Sequence, residues 1–597
     1  MNFKKLSSLI LVGCMGLALV GCSNEPKQEE PAVTASLKDG VYQGSASGHN
    51  GNVNVEVEVK EGKLSNVTLM AHDETIGIGD LAMDKIVAKM NETGNTNVEV
   101  VSNATISSGA VKSAVRNALK EAGADDAYFK NEASVEWDYP TLENEYTYDV
   151  VIVGAGGAGL SAAIEAAQAG AKVAVIEKTP AAGGNTLVSG GGLNAPGTKQ
   201  QIERGVEDSV EKFYEDTFNS GDQQADPALV KVMAENALDA TDWLINEIHV
   251  DFMSDRLQQF GGHSVPRALI PVGNHGDELV LKLVAAAQEN NVDIFYSVKG
   301  EELVEADGRV NGVKATYRGQ EITFNAEKGV ILATGGFASN VEMRTKYNSN
   351  YDGRFKTTAR DVSSGDGILM AEKIGAELVD MEFIQVYPTC NPLTGIISYV
   401  ANARMDGGIL VNQEGKRFVD EGGRRDVISN AILDQTGGYA YLVWGQETEE
   451  VGHMTEVHSV EYQKWIESGL LHVADTLEEC AEFFDVDTDT LLATVNAYNE
   501  SSADGVDEEF NRTGAVRPAA TGPFYIQKVV PSSHHTMGGV KINTDAQVID
   551  VNGEVIEGLF AAGEVTGDIH GTNRLGGNAI TDCVVFGRIA GANAAKE

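Results

Sequence analysis

The chain has 597 residues, enough for several domains. Asp and Glu outnumber Lys and Arg, 88 to 45, for a formal charge of −43, which excludes a nucleic-acid binder because phosphate contacts need Lys and Arg. The cysteines form no C-x-x-C-H and no cluster, which excludes attached c-type haem, an iron–sulfur centre and a zinc site.

The first predicted element is a targeting segment, which takes no part in the fold. Lys4 and Lys5 form a basic start, and Leu6–Val20 is a mostly apolar run too short for a comfortable transmembrane helix. It ends in Leu19-Val20-Gly21-Cys22, which resembles a bacterial lipobox. The resemblance implies a signal peptide over residues 1–21, acylation of Cys22, and a lipid anchor to the bacterial membrane on its extracytoplasmic side. Cys14 sits in the same pattern behind too short an apolar run. An ordinary signal peptide or a short anchor is the alternative; either places the mature protein outside the cytoplasmic membrane. Residues 22–36 read as a polar, Pro-containing tether.

Residues 37–125 read as a small α+β domain. Gly40–Ser47, Gly51–Glu58 and Lys63–Met70 are predicted strands, the second alternating cleanly, and Ile78–Met90 and Ser108–Ala122 predicted helices. Residues 126–146 form a polar linker. Over 147–383 the texture becomes α/β: apolar strands Val150–Val153, Val173–Ile176 and Gly329–Ala333 alternate with helices such as Leu160–Ala169 and Glu278–Asn290, the pattern of a Rossmann-like parallel sheet. Residues 384–516 lose this rhythm, carry helices near Thr476–Phe484 and Asp489–Ser501, and read as an inserted α+β cap. Residues 517–597 return to the sheet domain.

Gly154, Gly156, Gly157, Ala158 and Gly159 follow an apolar strand and open a helix. Such glycines let the backbone approach a pyrophosphate at a helix N-terminus, where free N–H groups and the dipole favour anions. Glu177, followed by Lys178, ends the next strand at the spacing of a ribose-hydroxyl partner. Gly184, Asn185, Thr186, Gly191 and Gly192 form Gly-rich loops expected along the diphosphate and flavin, and Thr334, Gly335 and Gly336 close another strand on the same cofactor. Plain loops are the alternative for these runs.

Gly183–Gly192, Met381–Thr389, Gly408–Asp426, His534–Gly539 and Gly558–Ile580 together resemble the soluble fumarate reductase and urocanate reductase flavoproteins, in order from about Tyr148 to the C-terminus. The resemblance implies noncovalent FAD and hydride transfer from its N5 to an alkene activated by a carboxylate. It assigns Arg574 and His534 to the carboxylate and Arg425 to proton donation, with Arg404 the next position of a proton relay. It assigns His535, Glu564 and the helix start Asn578-Ala579-Ile580 to the flavin. A guanidinium fork suits the carboxylate role. Core histidines and a surface salt bridge at Arg425 are the ordinary alternatives.

The departures bear on the substrate. Tyr387 stands where fumarate reductases of this family carry His, as in urocanate reductases, and Val400-Ala401 stand where they carry Thr-Glu. A second carboxylate without donors there would cost several kcal/mol. Asn402 is the nearest polar candidate for a distal ring. Urocanate or a 3-arylacrylate is therefore expected in preference to fumarate. In the small domain, Glu99–Ser108 resembles the FMN-binding domain in which a threonine is esterified to FMN phosphate, which makes Thr105 the acceptor; a helix turn capped by Ser107 or Ser108 is the alternative. FMN would then relay electrons from a membrane donor to FAD in anaerobic respiration, in place of the missing haem. Two other functions stay open: the reverse dehydrogenation of a saturated acid, and a noncatalytic electron-transfer lipoprotein.

Overall fold

The computed structural model describes residues 36–597, apart from 103, 503, 504 and 513. The leader, Cys22 and the tether up to residue 35 lie outside the described residues. Among the described residues, no helix is long and apolar enough to cross a membrane.

The small domain is a three-stranded antiparallel sheet, β1 (Gly40–Ser47), β2 (Asn52–Lys60) and β3 (Lys63–Leu69), covered by helices α1 (Gly79–Thr93) and α2 (Thr105–Glu121). Val53, Val55, Val57 and Val59 of β2 are buried and the residues between them point away, which is the pleat period read in the sequence. The buried face packs on Met83, Ile86, Val111 and Val115. Helix α2 starts at Thr105, earlier than the predicted Ser108.

The large domain is built on an eight-stranded sheet. In chain order its leading elements are β4 (Glu145–Val153), α3 (Gly157–Gln168), β5 (Val173–Glu177), β6 (Asp293–Tyr296), β7 (Val298–Ala306), β8 (Arg309–Tyr317) and β9 (Gln320–Leu332), in spatial order β7-β8-β9-β4-β5-β6. The first half of β9 pairs antiparallel with β8; its second half runs parallel to β4 and to Val555–Ala561. Val150–Val153 are all buried, the near-continuous apolar run expected of a parallel strand covered on both faces. The C-terminal segment returns to cover α3: a Cβ at Gly587 would lie 2.5 Å from the Ala158 carbonyl oxygen, and one at Gly591 would lie 2.2 Å from that of Ala162.

The inserted cap carries a six-stranded sheet. Its main members are β10 (Ile384–Cys390), β11 (Ala440–Trp444), β12 (Leu471–Ala474) and the long β13 (Phe524–Thr536). The first half of β13 pairs with β11 and β12, its second half with β10. Trp444 stacks on Tyr525 with centroids 4.9 Å apart inside the cap core. The cap sheet thus extends beyond residue 516, where the sequence reading ended it. Helices Leu477–Phe484 and Thr488–Ser502 lie close to the predicted spans; the Thr476 hydroxyl caps the first by accepting from Glu479 N at 3.3 Å.

Candidate active site

The glycine-rich turn joins β4 to α3 and is held by close packing. Gly154 has φ +108°, and a Cβ there would stand 2.4 Å from the Ala333 carbonyl oxygen. A Cβ on Gly159 would stand 1.9 Å from the Gly154 carbonyl oxygen. Gly156 differs: the nearest atom to its added Cβ is 4.0 Å away, so the missing side chain leaves open space. That space belongs to a cavity of about 800 Å³, partly open to solvent. Gly154, Gly156, Gly157 and Ala158 line one side, and Glu177 and Lys178 another. Gly184, Asn185, Thr186, Thr334, Gly335 and Glu564 complete the wall.

Most polar groups of this wall are already engaged. Glu177 accepts from Ala155 N at 2.9 Å and Thr179 N at 2.8 Å. Lys178 pairs with Asp366 at 2.6 Å, Asn185 donates to Ser363 Oγ at 2.8 Å, and Thr186 Oγ1 accepts from Gly157 N at 3.2 Å. The Thr334 hydroxyl is buried without a partner. A cleft shaped by an absent side chain, at a helix N-terminus, with an unsatisfied hydroxyl in its wall, fits a dinucleotide. Four predicted cofactor glycines lie off this wall. Gly159 packs against the Gly154 backbone, Gly191 faces Pro271, Gly192 faces Phe260 and Ile270, and Gly336 faces Thr536 and Glu564; these neighbours occupy their empty sides.

The second half of β13 brings the chemistry together. His534 and His535 are consecutive on this strand, where its register against β10 slips between Gln385 and Val386. His535 lies 3.5 Å from Glu564, which also accepts from Thr536 N at 3.0 Å. Burial pushes the Glu564 carboxyl up to about 7. His534 Nδ1 lies 2.7 Å from Thr358 Oγ1. Across the ladder, β10 carries Tyr387, whose ring meets His534 edge-on at 5.6 Å. The Arg425 guanidinium lies over the same Tyr387 ring, 4.8 Å from its centre. Arg425 opens a helix, α4 (Arg425–Leu433).

Arg574 faces the same group. It is buried, its Nη1 donates to the Leu575 carbonyl at 3.2 Å, and its Nε has no partner. Burial, then the charge of Arg425, pushes its guanidinium down to about 9. Burial and the charge of Arg574 also hold both histidines well below the usual imidazole value. Two cations and two neutral imidazoles around one cleft make a site for an anion.

Arg404 is fully buried behind this group and donates to the Glu421 carbonyl; burial lowers its guanidinium too. Asn402 accepts from the Tyr387 hydroxyl at 3.4 Å. Val400 and Ala401, expected at the substrate, are corrected: both are 0% exposed and packed in the cap core with Leu410, Ile428 and Trp444. They adjoin Asn402 in sequence, but the short helical turn Val400–Asn402 directs them inward. The last helix, α5 (Asn578–Ala594), begins as expected beside Arg574. Asn578 is buried and bonded to Asn194 and Thr217, Ile580 is in the core, and Ala579 remains half-buried.

Several supporting residues were not read from the sequence. Gln385 donates to the Arg574 carbonyl at 2.7 Å. His263 Nε2 lies 3.1 Å from the Gly576 carbonyl, and its Nδ1 lies 2.9 Å from Arg267. Arg267 is itself held by Asp208 at 2.8 Å and Asp216 at 2.7 Å. Asn194 donates to the same Gly576 carbonyl at 2.6 Å. These residues stand far from Arg574 in sequence and form no motif, so only folding reveals them. In the small domain Thr105 is exposed at the start of α2. Neither serine caps that helix: Ser107 donates to Glu74, and Ser108 Oγ accepts from Val101 N at 3.2 Å.

The FAD binding domain family matches residues 149–580, and the FMN-binding domain family matches residues 48–120. A urocanate reductase of Eggerthella lenta is 42% identical over 588 residues, 97% of this chain and 96% of that one. A fumarate reductase (cytochrome) of Shewanella frigidimarina is 42% identical over 455 residues, 75% of this chain and 77% of the other. The open conformation of a flavocytochrome c3 fumarate reductase superposes with a TM-score of 0.67 at 40% identity, covering 75% of this chain and 78% of that one.

Proposed function

The chain belongs to the FAD binding domain family of the urocanate and fumarate reductases, carries an FMN-binding domain, and is an FAD-dependent oxidoreductase acting on the C=C bond of an α,β-unsaturated carboxylate; from that premise we propose a urocanate-like or 3-arylacrylate-like substrate. The observation that carries this reading is the group formed by Arg574, His534, Tyr387 and Arg425. FAD, when bound along the glycine-rich cavity, supplies hydride to the alkene. Arg574, whose Nε has no partner, grips the substrate carboxylate and draws electron density from the double bond. His534 assists as a neutral donor in the tautomer that carries its hydrogen on Nε2, with Nδ1 2.7 Å from the Thr358 hydroxyl. Arg425, 4.8 Å from the Tyr387 ring centre, delivers the proton to the carbon not attacked by hydride. Tyr387 and Asn402 offer a ring face, a hydroxyl and an amide to the distal group. That neutral pair suits an imidazole or aryl group better than a second carboxylate, and the similarity to a urocanate reductase along nearly the whole chain supports the same choice.

The wider setting belongs to the same proposal. The leader and Cys22 make the protein an extracytoplasmic lipoprotein, and Thr105 would hold FMN as an ester, a group that would supply an electron relay between a membrane donor and FAD in anaerobic respiration. The exposed Thr105 hydroxyl and the prior engagement of Ser107 and Ser108 support that site. Steady-state rates with reduced viologen across urocanate, cinnamate and fumarate test the substrate. Urocanate or cinnamate should give the highest kcat/KM; fumarate emerging as best would overturn the assignment. Faster oxidation of the saturated acids by a dye would instead favour the dehydrogenase, and no turnover of any enoate would favour the electron carrier.

A further inference from the structure

Val400 and Ala401 turn into the cap core, so the substrate side of their turn belongs to other residues. Tyr399 has helical backbone angles, φ −75° and ψ −31°, and leads directly into the 3-10 turn Val400–Asn402. Its carbonyl accepts from Asn402 N at 3.0 Å. In such a turn the side chains at i and i+3 lie one above the other. Tyr399 therefore shares a face with Asn402, the residue that accepts from the Tyr387 hydroxyl. Tyr399 and Asn402 are half-buried, whereas Val400 and Ala401 are fully buried. Burial, then the neighbouring Tyr387, pushes the Tyr399 hydroxyl up to about 12.

The ring is held in place from behind. Tyr399 N donates to both carboxylate oxygens of Glu461 at 3.1 Å. The same carboxylate accepts from Ser398 Oγ at 2.8 Å and from Trp465 Nε1 at 3.0 Å. Glu461 is thus a positioning residue, its acceptors committed to the fold. The Tyr399 ring stacks on His458 with centroids 5.5 Å apart and planes 24° apart. Burial, then the charge of Arg256, holds the His458 imidazole below its usual value. Arg256 and His275, whose charges reach it, belong to the flavin domain, so the stack stands where the cap approaches that domain. We infer that Tyr399, backed by His458, is the distal wall of the substrate site and selects an uncharged aromatic ring, that of a 3-arylacrylate such as cinnamate, over the imidazole of urocanate. Two phenol rings and an imidazole offer aromatic faces to an aryl group. The ring N–H of urocanate asks in addition for an acceptor, and a buried donor without one is penalised. Glu461 is already engaged, and Asn402 Oδ1 already receives the Tyr387 hydroxyl at 3.4 Å.

This inference rests on the proposed reduction of an enoate, and the test separates the two. Steady-state rates of the flavin-loaded enzyme with reduced viologen are compared for cinnamate, urocanate, fumarate and acrylate, the last lacking any distal group. The wild type should give a higher kcat/KM with cinnamate than with urocanate; the reverse order would overturn the choice of an aryl ring. Tyr399→Ala should lower the ratio of kcat/KM for cinnamate to that for acrylate about tenfold, chiefly through KM. Tyr399→Phe, which keeps the ring, should restore it. An unmoved ratio, or an equal loss on both substrates, would overturn Tyr399 as the distal wall. Where Tyr399→Ala loses its flavin, Tyr399→Leu gives the same reading, since it keeps bulk without an aromatic face. Fumarate outrunning every other enoate in the wild type would instead overturn the substrate reading beneath this one, whatever the Tyr399 variants do.

Discussion

Arg574 is the residue on which the proposed grip depends, because it is a buried cation whose Nε has no partner. A hydrogen bond to a charged group contributes about 1.5–3 kcal/mol, and a buried donor left unmade costs a similar amount. Substrate carboxylate therefore relieves a cost the protein already carries. Lysine keeps the charge but loses the planar fork. Arg574→Lys should lower kcat/KM about 10²-fold, the scale of losing one preorganised donor; unchanged steady-state constants would place the carboxylate elsewhere. Glu564 offers a pH test. Its folded carboxyl is raised to about 7 against an ordinary value of 4.5. The native state thus holds a proton that the unfolded chain releases, so stability falls as pH rises through that window. In flavin-free protein, melting temperature should drop between about pH 5 and 7 by more than in Glu564→Gln; parallel curves would show that Glu564 titrates normally.

Single elements explain both what could be read from the chain and what could not. The β4 turn was legible because its constraints are local: Gly154 needs its positive φ and Gly159 its missing Cβ within one strand–turn–helix unit. The alternation in β2 was legible for the same reason. The cap sheet was not, because β10 and β13 lie far apart in sequence and pair only after the chain has closed a long loop. The resemblance located His534, Arg574 and Tyr387 together, yet it also carried Val400 and Ala401 to the substrate, where the short turn Val400–Asn402 instead sends both into the core. Family position fixes where the backbone goes; local packing fixes which side chains reach the cleft. The Arg267–His263 support of the Gly576 turn shows the reverse case, with strong geometry and no motif. Burial, with the charge on Arg267 second, pushes His263 down to about 4 and keeps it neutral. Arg267→Ala would leave Asp208, fully buried, without its cation, costing about 3–5 kcal/mol. Urea denaturation should show that loss, and a shift below about 1 kcal/mol would show that water replaces the guanidinium.

At the scale of the whole molecule, the flavin domain, the cap and the small domain meet around one region. Lys464 of the cap donates to the His49 carbonyl of the small domain at 3.2 Å, and a narrow cleft between the small domain and the flavin domain adjoins the wall of the dinucleotide cavity. Strand β13 adds a mechanical consequence. It is one continuous strand whose early residues are clamped between β11 and β12 and whose last residues, past two slips of register against β10, deliver His534 and His535. The cap sheet and the histidine pair thus share one length of backbone. If the inserted sheet tilts to let product out, the imidazole that steadies the acid group tilts with it, so unlatching the mouth and slackening the hold become the same stroke.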